Sequence, residues 1–350
     1  MARSASVTGM TLIRDADEPL LHGGELAAAR RLFPDAPEPF LDLSTGINPI
    51  SYPLPHLSPD LFARLPQGEA LDALAAAAAN AYGVPSAAHV VCAPGTQILL
   101  PLVAGLIGSG SAAVVTPTYG EHARAAALSG HRVAELGDID PVPDADLVLV
   151  TNPNNPDGRL FDKADLIALA KRLQARHGLL VVDEAFMDVG PPDVSMASEV
   201  GRGGIVVLRS FGKFFGLAGI RLGFALAAPD VATRLRAQLG PWAVSGPALA
   251  IGAKALVDRA WIEDTRHRLA GGIARLDQIL ATAKLEIVGG TMLFRLVRAH
   301  ATDLLEHLGR AGIFVRLFPE NPTWVRFGQP AAELDWARLQ IAMAAFASRV

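Results

Sequence analysis

Six short apolar runs, Val90–Cys92, Ala112–Val115, Leu147–Val150, Leu179–Val182, Ile205–Leu208 and Gly223–Ala227, constrain this chain more than any other feature. Each is followed by a polar turn, and most of the gaps between them carry helix-compatible stretches such as Gln97–Ile107, Glu121–Ser129 and Lys163–His177. A strand with one wet face alternates apolar and polar residues, whereas a strand that is apolar at every position has both faces covered. The pattern therefore predicts an α/β fold: a mostly parallel sheet with helices on both faces. Polar residues gather just past the carboxyl ends of the runs, where open sheets of this kind bind ligands.

The rhythm changes after Pro241. A long helical region to about Ala283 is followed by Glu286–Val288, Thr291–Leu296, a helix Ala301–Arg310, a strand around Ile313–Leu317, Trp324–Phe327 and a closing helix near Leu334–Ala347. This reads as a small α+β domain. The expected division is a large ligand-binding domain over residues 41–240 and a small domain built from 1–40 and 241–350. With 350 residues, 51% of them hydrophobic, the chain has material for two cores and is too apolar to be disordered.

Charge and cysteine content remove several classes of function. The 31 Lys and Arg against 35 Asp and Glu leave a net charge of −4, which favours neither nucleic acid nor an anionic membrane. Apolar runs such as Ile98–Ile107 fall short of the roughly 20 residues needed to span a bilayer. No signal-type apolar core precedes the first acidic residues, so a cytoplasmic location is expected. The lone cysteine, Cys92, excludes an internal disulfide and reads as an inert core residue. The nine histidines form no HxH or HExxH pair, and no metal is expected.

Four polar segments at strand ends carry chemistry. In Ser210-Phe211-Gly212-Lys213-Phe214-Phe215-Gly216, a lysine sits among aromatic residues and glycines, where burial lowers an amine's pKa toward the range an imine-forming group requires. Ser210 and Arg221 are placed to converge on an anion; a charged turn with Arg221 salt-bridged at the surface is the alternative. Asp183, ending Val181-Val182-Asp183-Glu184, is a carboxylate in an apolar setting that needs a cation or a protonated heterocycle, and Glu184 reads as a charge-pairing partner. Thr151–Gly158 combines two Asn-Pro steps with asparagine amides free to hydrogen-bond. In Ala93-Pro94-Gly95-Thr96-Gln97 a strand meets a helix start, which suits either a phosphate or an ordinary cap. With the aromatic face of Tyr119, these segments fit a phosphorylated aromatic cofactor held as an imine. Phe211, Phe214, Phe215, Trp242 and Trp261 read as packing residues, and His122 and Arg124 as surface positions.

SFGKFFGLAGIRLG, VVDEAF and TNPNNPDG, in this order, resemble the fold-type I pyridoxal-phosphate enzymes, in the branch that contains histidinol-phosphate aminotransferase. The resemblance implies Lys213 as the cofactor lysine, Asp183 on the pyridine nitrogen, Asn155 on the phenolic oxygen and Tyr119 against the ring. It implies Gly95, Thr96, Gln97, Ser210 and Arg221 around the phosphate, and Arg326 on the substrate α-carboxylate. Phe186 stands where many relatives have Tyr, and Asp157 where Thr is commoner. His22-Gly23-Gly24-Glu25 and Phe40–Pro49 are similar to the threonine-phosphate decarboxylases of cobalamin biosynthesis, although Glu25 departs from their His-Gly-Gly-Asn. That adds His22, Gly46, Asn48, Asn155, Arg316 and Arg326 as expected substrate contacts. A homodimer with shared sites is implied too, with Tyr52 or a neighbour near the partner's cofactor phosphate. The expected reaction is decarboxylation of L-threonine O-3-phosphate. An aminotransferase of the histidinol-phosphate type is the enzymatic alternative, and a binding protein on the same fold is the other.

Overall fold

The computed structural model describes residues 23–140, 142 and 144–348. Strand β1 (Leu41–Asp42) precedes seven strands that form the central sheet: β2 (Val90–Ala93), β3 (Ser111–Val115), β4 (Arg132–Leu136), β5 (Leu147–Thr151), β6 (Leu179–Asp183), β7 (Ile205–Ser210) and β8 (Gly223–Ala227). Their order is β2-β8-β7-β6-β5-β3-β4. Strands β7, β6, β5, β3 and β4 run parallel, and β8 is antiparallel to both its neighbours.

The continuous apolar runs have the expected cause. Alternate residues of one strand enter different cores: Val148 and Val150 pack with Leu180, Val182 and Val207 on one face. Leu147 and Leu149 pack with Leu179, Val181 and Val206 on the other. Successive strand side chains point to opposite faces, so a sheet covered on both sides must be apolar throughout.

Beyond the sheet, β9 (Glu286–Thr291), β10 (Phe294–Arg298), β11 (Ile313–Phe314), β12 (Arg316–Leu317) and β13 (Trp324–Gly328) build the small domain. Four of them form an antiparallel sheet in the order β12-β13-β10-β9, and β11 pairs with β1. The helices Arg259–Thr282, Ala301–Arg310 and Glu333–Ala347 supply Leu276, Leu280, Leu304, Leu308, Leu339 and Met343 to its core.

Contacts cross both expected domain boundaries. Leu41 and Asp42 pair with Ile313 and Phe314, and Leu43 lies in the small-domain core, because the first strand closes that domain. At the other end, Val244, Leu249, Ile251 and Leu269 pack in the large core, whereas Ile273 and Leu276 pack in the small one. The crossing falls inside the helix Arg259–Thr282. The helix Pro229–Leu239 is an element that the apolar pattern did not indicate. Among the described residues, no helix is long and apolar enough to cross a membrane.

Candidate active site

The carboxyl ends of the parallel strands open onto a cavity of about 550 Å³. Gly46, Gly95, Thr96, Gln97, Tyr119, Asn155, Asp183, Ser210, Lys213, Arg221, Arg316 and Arg326 all line it. The topology explains the convergence. Asp183 is the last residue of β6, in register with Thr151 of β5 and Leu208 of β7, so the loops after three adjacent strands leave the sheet together. Arg221 precedes β8, whose antiparallel direction brings its start to the same edge.

Lys213 lies in a single helical turn, Phe211–Phe214, directly after β7. Phe211, Phe214 and Phe215 are fully buried, and Phe211 stacks on Phe215 at 4.3 Å. Burial first, then the positive charge of Arg326, pushes the Lys213 amine down to about 8, against the pull of Asp183. Asp183 Oδ1 accepts from the Ala185 amide at 3.0 Å, and Oδ2 lies 2.9 Å from His122 Nε2. Burial raises the Asp183 carboxyl to about 6, against the Ala185 amide and the charge of Lys213, which favour the carboxylate.

His122 corrects the sequence reading. It is 1% exposed, because Glu121, His122, Ala125 and Ala126 form the inward face of their helix. Burial lowers its pKa to about 4, so the ring is neutral and Nε2–H donates to Asp183. Among the described residues, its buried Nδ1 has no partner. The i, i+3, i+4 spacing of His122, Ala125 and Ala126 was the available signal.

Around Gly95 and Arg221 the cavity wall leaves no space for added side chains. Gly95 has φ +86°, and a Cβ there would lie 2.8 Å from Arg221 Nη2. A Cβ on Gly223 would lie 2.7 Å from the Thr96 amide nitrogen. Arg221 itself takes a left-handed backbone (φ 52°), a conformation that costs energy in a residue with a Cβ and aims the side chain across Gly95 rather than into a surface ion pair. Gln97 lines the cavity while its side chain bridges Tyr119 and Glu121: Oε1 accepts from Tyr119 Oη at 3.0 Å, and Nε2 donates to Glu121 at 2.8 Å.

On the opposite wall, Arg326 is buried; Nη2 donates to the Ser44 carbonyl at 2.9 Å and Nη1 donates to Asn155 Oδ1. Burial first, then Arg316, lowers its pKa to about 9. Arg316 is directly opposite Arg326 in the β12–β13 register. Phe186 lies beneath Lys213, whose Nζ is 5.8 Å from the ring centroid, so no hydroxyl is offered at that position. Gly46 touches the same ring: a Cβ there would come within 3.0 Å of Phe186. Asp157 Oδ1 accepts from Asn154 Nδ2 at 2.8 Å and from the Arg159 amide at 3.0 Å, fastening the loop that carries Asn155.

Three further residues sit away from the cavity lining. Asn48 does not line the cavity; its Nδ2 donates to the Phe214 carbonyl at 2.7 Å and its Oδ1 accepts from Ile50, so it braces the Lys213 turn. Tyr52 is buried and its hydroxyl donates to Asp258 of the same chain at 3.0 Å, with Trp261 edge-on at 5.1 Å. Trp242 is 58% exposed rather than packed. His22 lies outside the described residues. Glu184 is a charge-pairing residue, accepting from Arg209 Nη1 at 3.0 Å in a buried site.

The donor set fits a phosphorylated heteroaromatic aldehyde: a glycine-lined cradle with an arginine, an amine with a lowered pKa, and a buried carboxylate. Residues 54–346 match the family model for aminotransferase class I and II, and the chain belongs to that family. Within it, the chain is 43% identical over 331 residues to the threonine-phosphate decarboxylase of Pseudomonas aeruginosa, spanning 93% of this chain and 98% of that protein. Two solved structures share the fold. The histidinol-phosphate aminotransferase of Sinorhizobium meliloti, in complex with pyridoxal-5'-phosphate, has a TM-score of 0.78 at 21% identity, covering 95% of this chain and 96% of that one. The L-threonine-O-3-phosphate decarboxylase of Porphyromonas gingivalis has a TM-score of 0.73 at 20% identity, covering 88% and 99%.

Proposed function

We propose that this chain decarboxylates L-threonine O-3-phosphate to (R)-1-aminopropan-2-yl phosphate and CO2, a step of cobalamin biosynthesis, with pyridoxal 5'-phosphate as cofactor. Lys213, Asp183, Asn155 and Tyr119 would hold the cofactor ring, and Gly95, Thr96, Ser210 and Arg221 its phosphate. When bound, the cofactor supplies an electron sink for the pair left on the substrate α-carbon as a bond to that carbon breaks. Asp183, oriented by His122 and the Ala185 amide, would favour protonation of the cofactor's ring nitrogen, which this chemistry needs. Lys213 Nζ, lowered to about 8, is mostly protonated at neutral pH but loses its proton far more readily than an ordinary lysine, so it would take up a proton and return one to the substrate α-carbon.

The observation that carries the substrate assignment is the pairing of Arg316 with Arg326. Side chains directly opposite on an antiparallel pair have Cβ atoms about 4.5–5.5 Å apart, and like charges there repel. Both arginines line the cavity, and burial lowers the pKa of each. Two anionic groups on one small molecule can each meet one of these arginines. An amino acid with a side-chain phosphate carries them, with Arg326 on the carboxylate and Arg316 on the phosphate.

The test compares CO2 release from L-threonine O-3-phosphate with 2-oxoglutarate-dependent amino transfer from histidinol phosphate. Rapid CO2 release with slow transfer supports the assignment. Rapid transfer with no CO2 overturns it. A cytoplasmic homodimer belongs to the same proposal and rests on the family resemblance.

A further inference from the structure

The small domain touches the large one beside the cavity through glycines that leave no space for a side chain. A Cβ on Gly158, in the loop after Asn155, would overlap the Gly290 carbonyl and come 2.8 Å from the Gly290 Cα. From the other side, a Cβ on Gly289 of β9 would overlap the Asp157 carbonyl and come 3.1 Å from its carbon. Backbone therefore lies directly on backbone. The loop on one side holds Asn155; the sheet on the other holds Arg316 and Arg326. Arg326 Nη1 donates to Asn155 Oδ1 across the same junction.

We propose that Gly158 and Gly289 are positioning residues, forming a seat that sets how far the arginine-bearing sheet stands from the cofactor domain. Strands β9, β10, β13 and β12 are hydrogen-bonded neighbours, so lifting β9 by the thickness of a methyl group carries Arg326 and Arg316 with it. Lys213, Asp183 and Arg221 belong to the large domain and stay in place. Gly290 is less informative, since its Cβ would meet the Phe294 carbonyl inside its own hairpin.

The prediction separates substrate binding from cofactor binding, and its kinetic arm rests on the decarboxylase reading. Gly289→Ala and Gly158→Ala each raise KM for L-threonine O-3-phosphate, and kcat/KM falls on the order of a hundredfold, as expected for about 1 Å of misplacement. Cofactor affinity falls far less than kcat/KM, because Lys213, Asp183 and Arg221 stay in place and only Asn155 shares the disturbed loop. Both alanines together do no more harm than either alone, because they wedge one contact.

Two controls isolate the contact. Gly83→Ala shares the left-handed backbone of Gly158 (φ +70°) with nothing within 4 Å, and Gly271→Ala also has open space around it; neither changes KM. Hydrogen exchange read by mass spectrometry provides an arm that needs no turnover. In both seat variants, amides of residues 155–159 and 286–291 exchange faster while those of β5, β6 and β7 do not. Wild-type KM and exchange in Gly289→Ala overturn the proposal. Failure of both variants to fold also overturns it, since a seat that only positions the small domain leaves both cores intact. If wild-type protein releases no CO2, the substrate reading fails, and the exchange pattern alone decides the seat.

Discussion

Lys213 shows how one side chain's setting becomes a measurable property of the whole protein. Its folded amine releases its proton near about 8, whereas the usual lysine value is 10.5. Between those values the unfolded chain binds more protons at this position, so its contribution to stability rises with pH. Below about 8 both states are protonated and the full cost of burying the ammonium remains. Cofactor-free Lys213→Met should therefore melt above wild type at pH 7, with the gap closing by about pH 10. Calorimetry across that range checks this, and a gap that widens with pH would contradict it. His122 teaches the complementary lesson. Its buried bond to Asp183 was invisible while it was read as a surface residue, because helical spacing can mark an inward face but not the residue of another element that lies against it.

Turns between strands and helices were legible where local geometry governs them. The Lys213, Asp183, Asn155 and Gly95 segments all follow apolar runs, and a strand end is a short-range property of the chain. Asn48 was not legible, because its partner, the Phe214 carbonyl, is distant in sequence and belongs to another element. The bond braces the backbone that presents Lys213, together with the Asn48 amide donating to the Lys213 carbonyl at 2.9 Å. Asn48→Ala leaves a buried carbonyl without its donor and should cost about 1–3 kcal/mol. Urea denaturation measures that loss. A large rise in substrate KM with unchanged stability would instead return Asn48 to the substrate-contact role first expected of it.

At the scale of the whole molecule, one helix serves both cores. Arg259–Thr282 contributes Leu269 to the large core and Ile273 to the small one, so the helix passes from one domain to the other without a linker. No composition shift marks the point where a helix passes between two cores, whereas the change of rhythm near Pro241 is visible in the sequence. The surface also carries large apolar side chains, with Phe62 68% and Trp242 58% exposed. For the proposed homodimer, sedimentation should give twice the 36.7 kDa chain mass, and Phe62→Asp should shift it toward monomer. A wild-type chain that sediments as a monomer would remove the dimer from the proposal.

Hydrophobic periodicity and strand-end chemistry depend on neighbours a few residues apart, and they were enough to indicate the α/β sheet and its ligand edge, while the individual cofactor contacts were expected from the family resemblance. The paired arginines, the His122–Asp183 bond, the Asn48 brace and the glycine seat each join segments far apart in the chain. Periodicity says which face of an element is apolar, but not which residue of another element lies against it. Register, close backbone approach and burial are settled only when the domains pack, and here that packing brings two arginines and the lysine into one cavity.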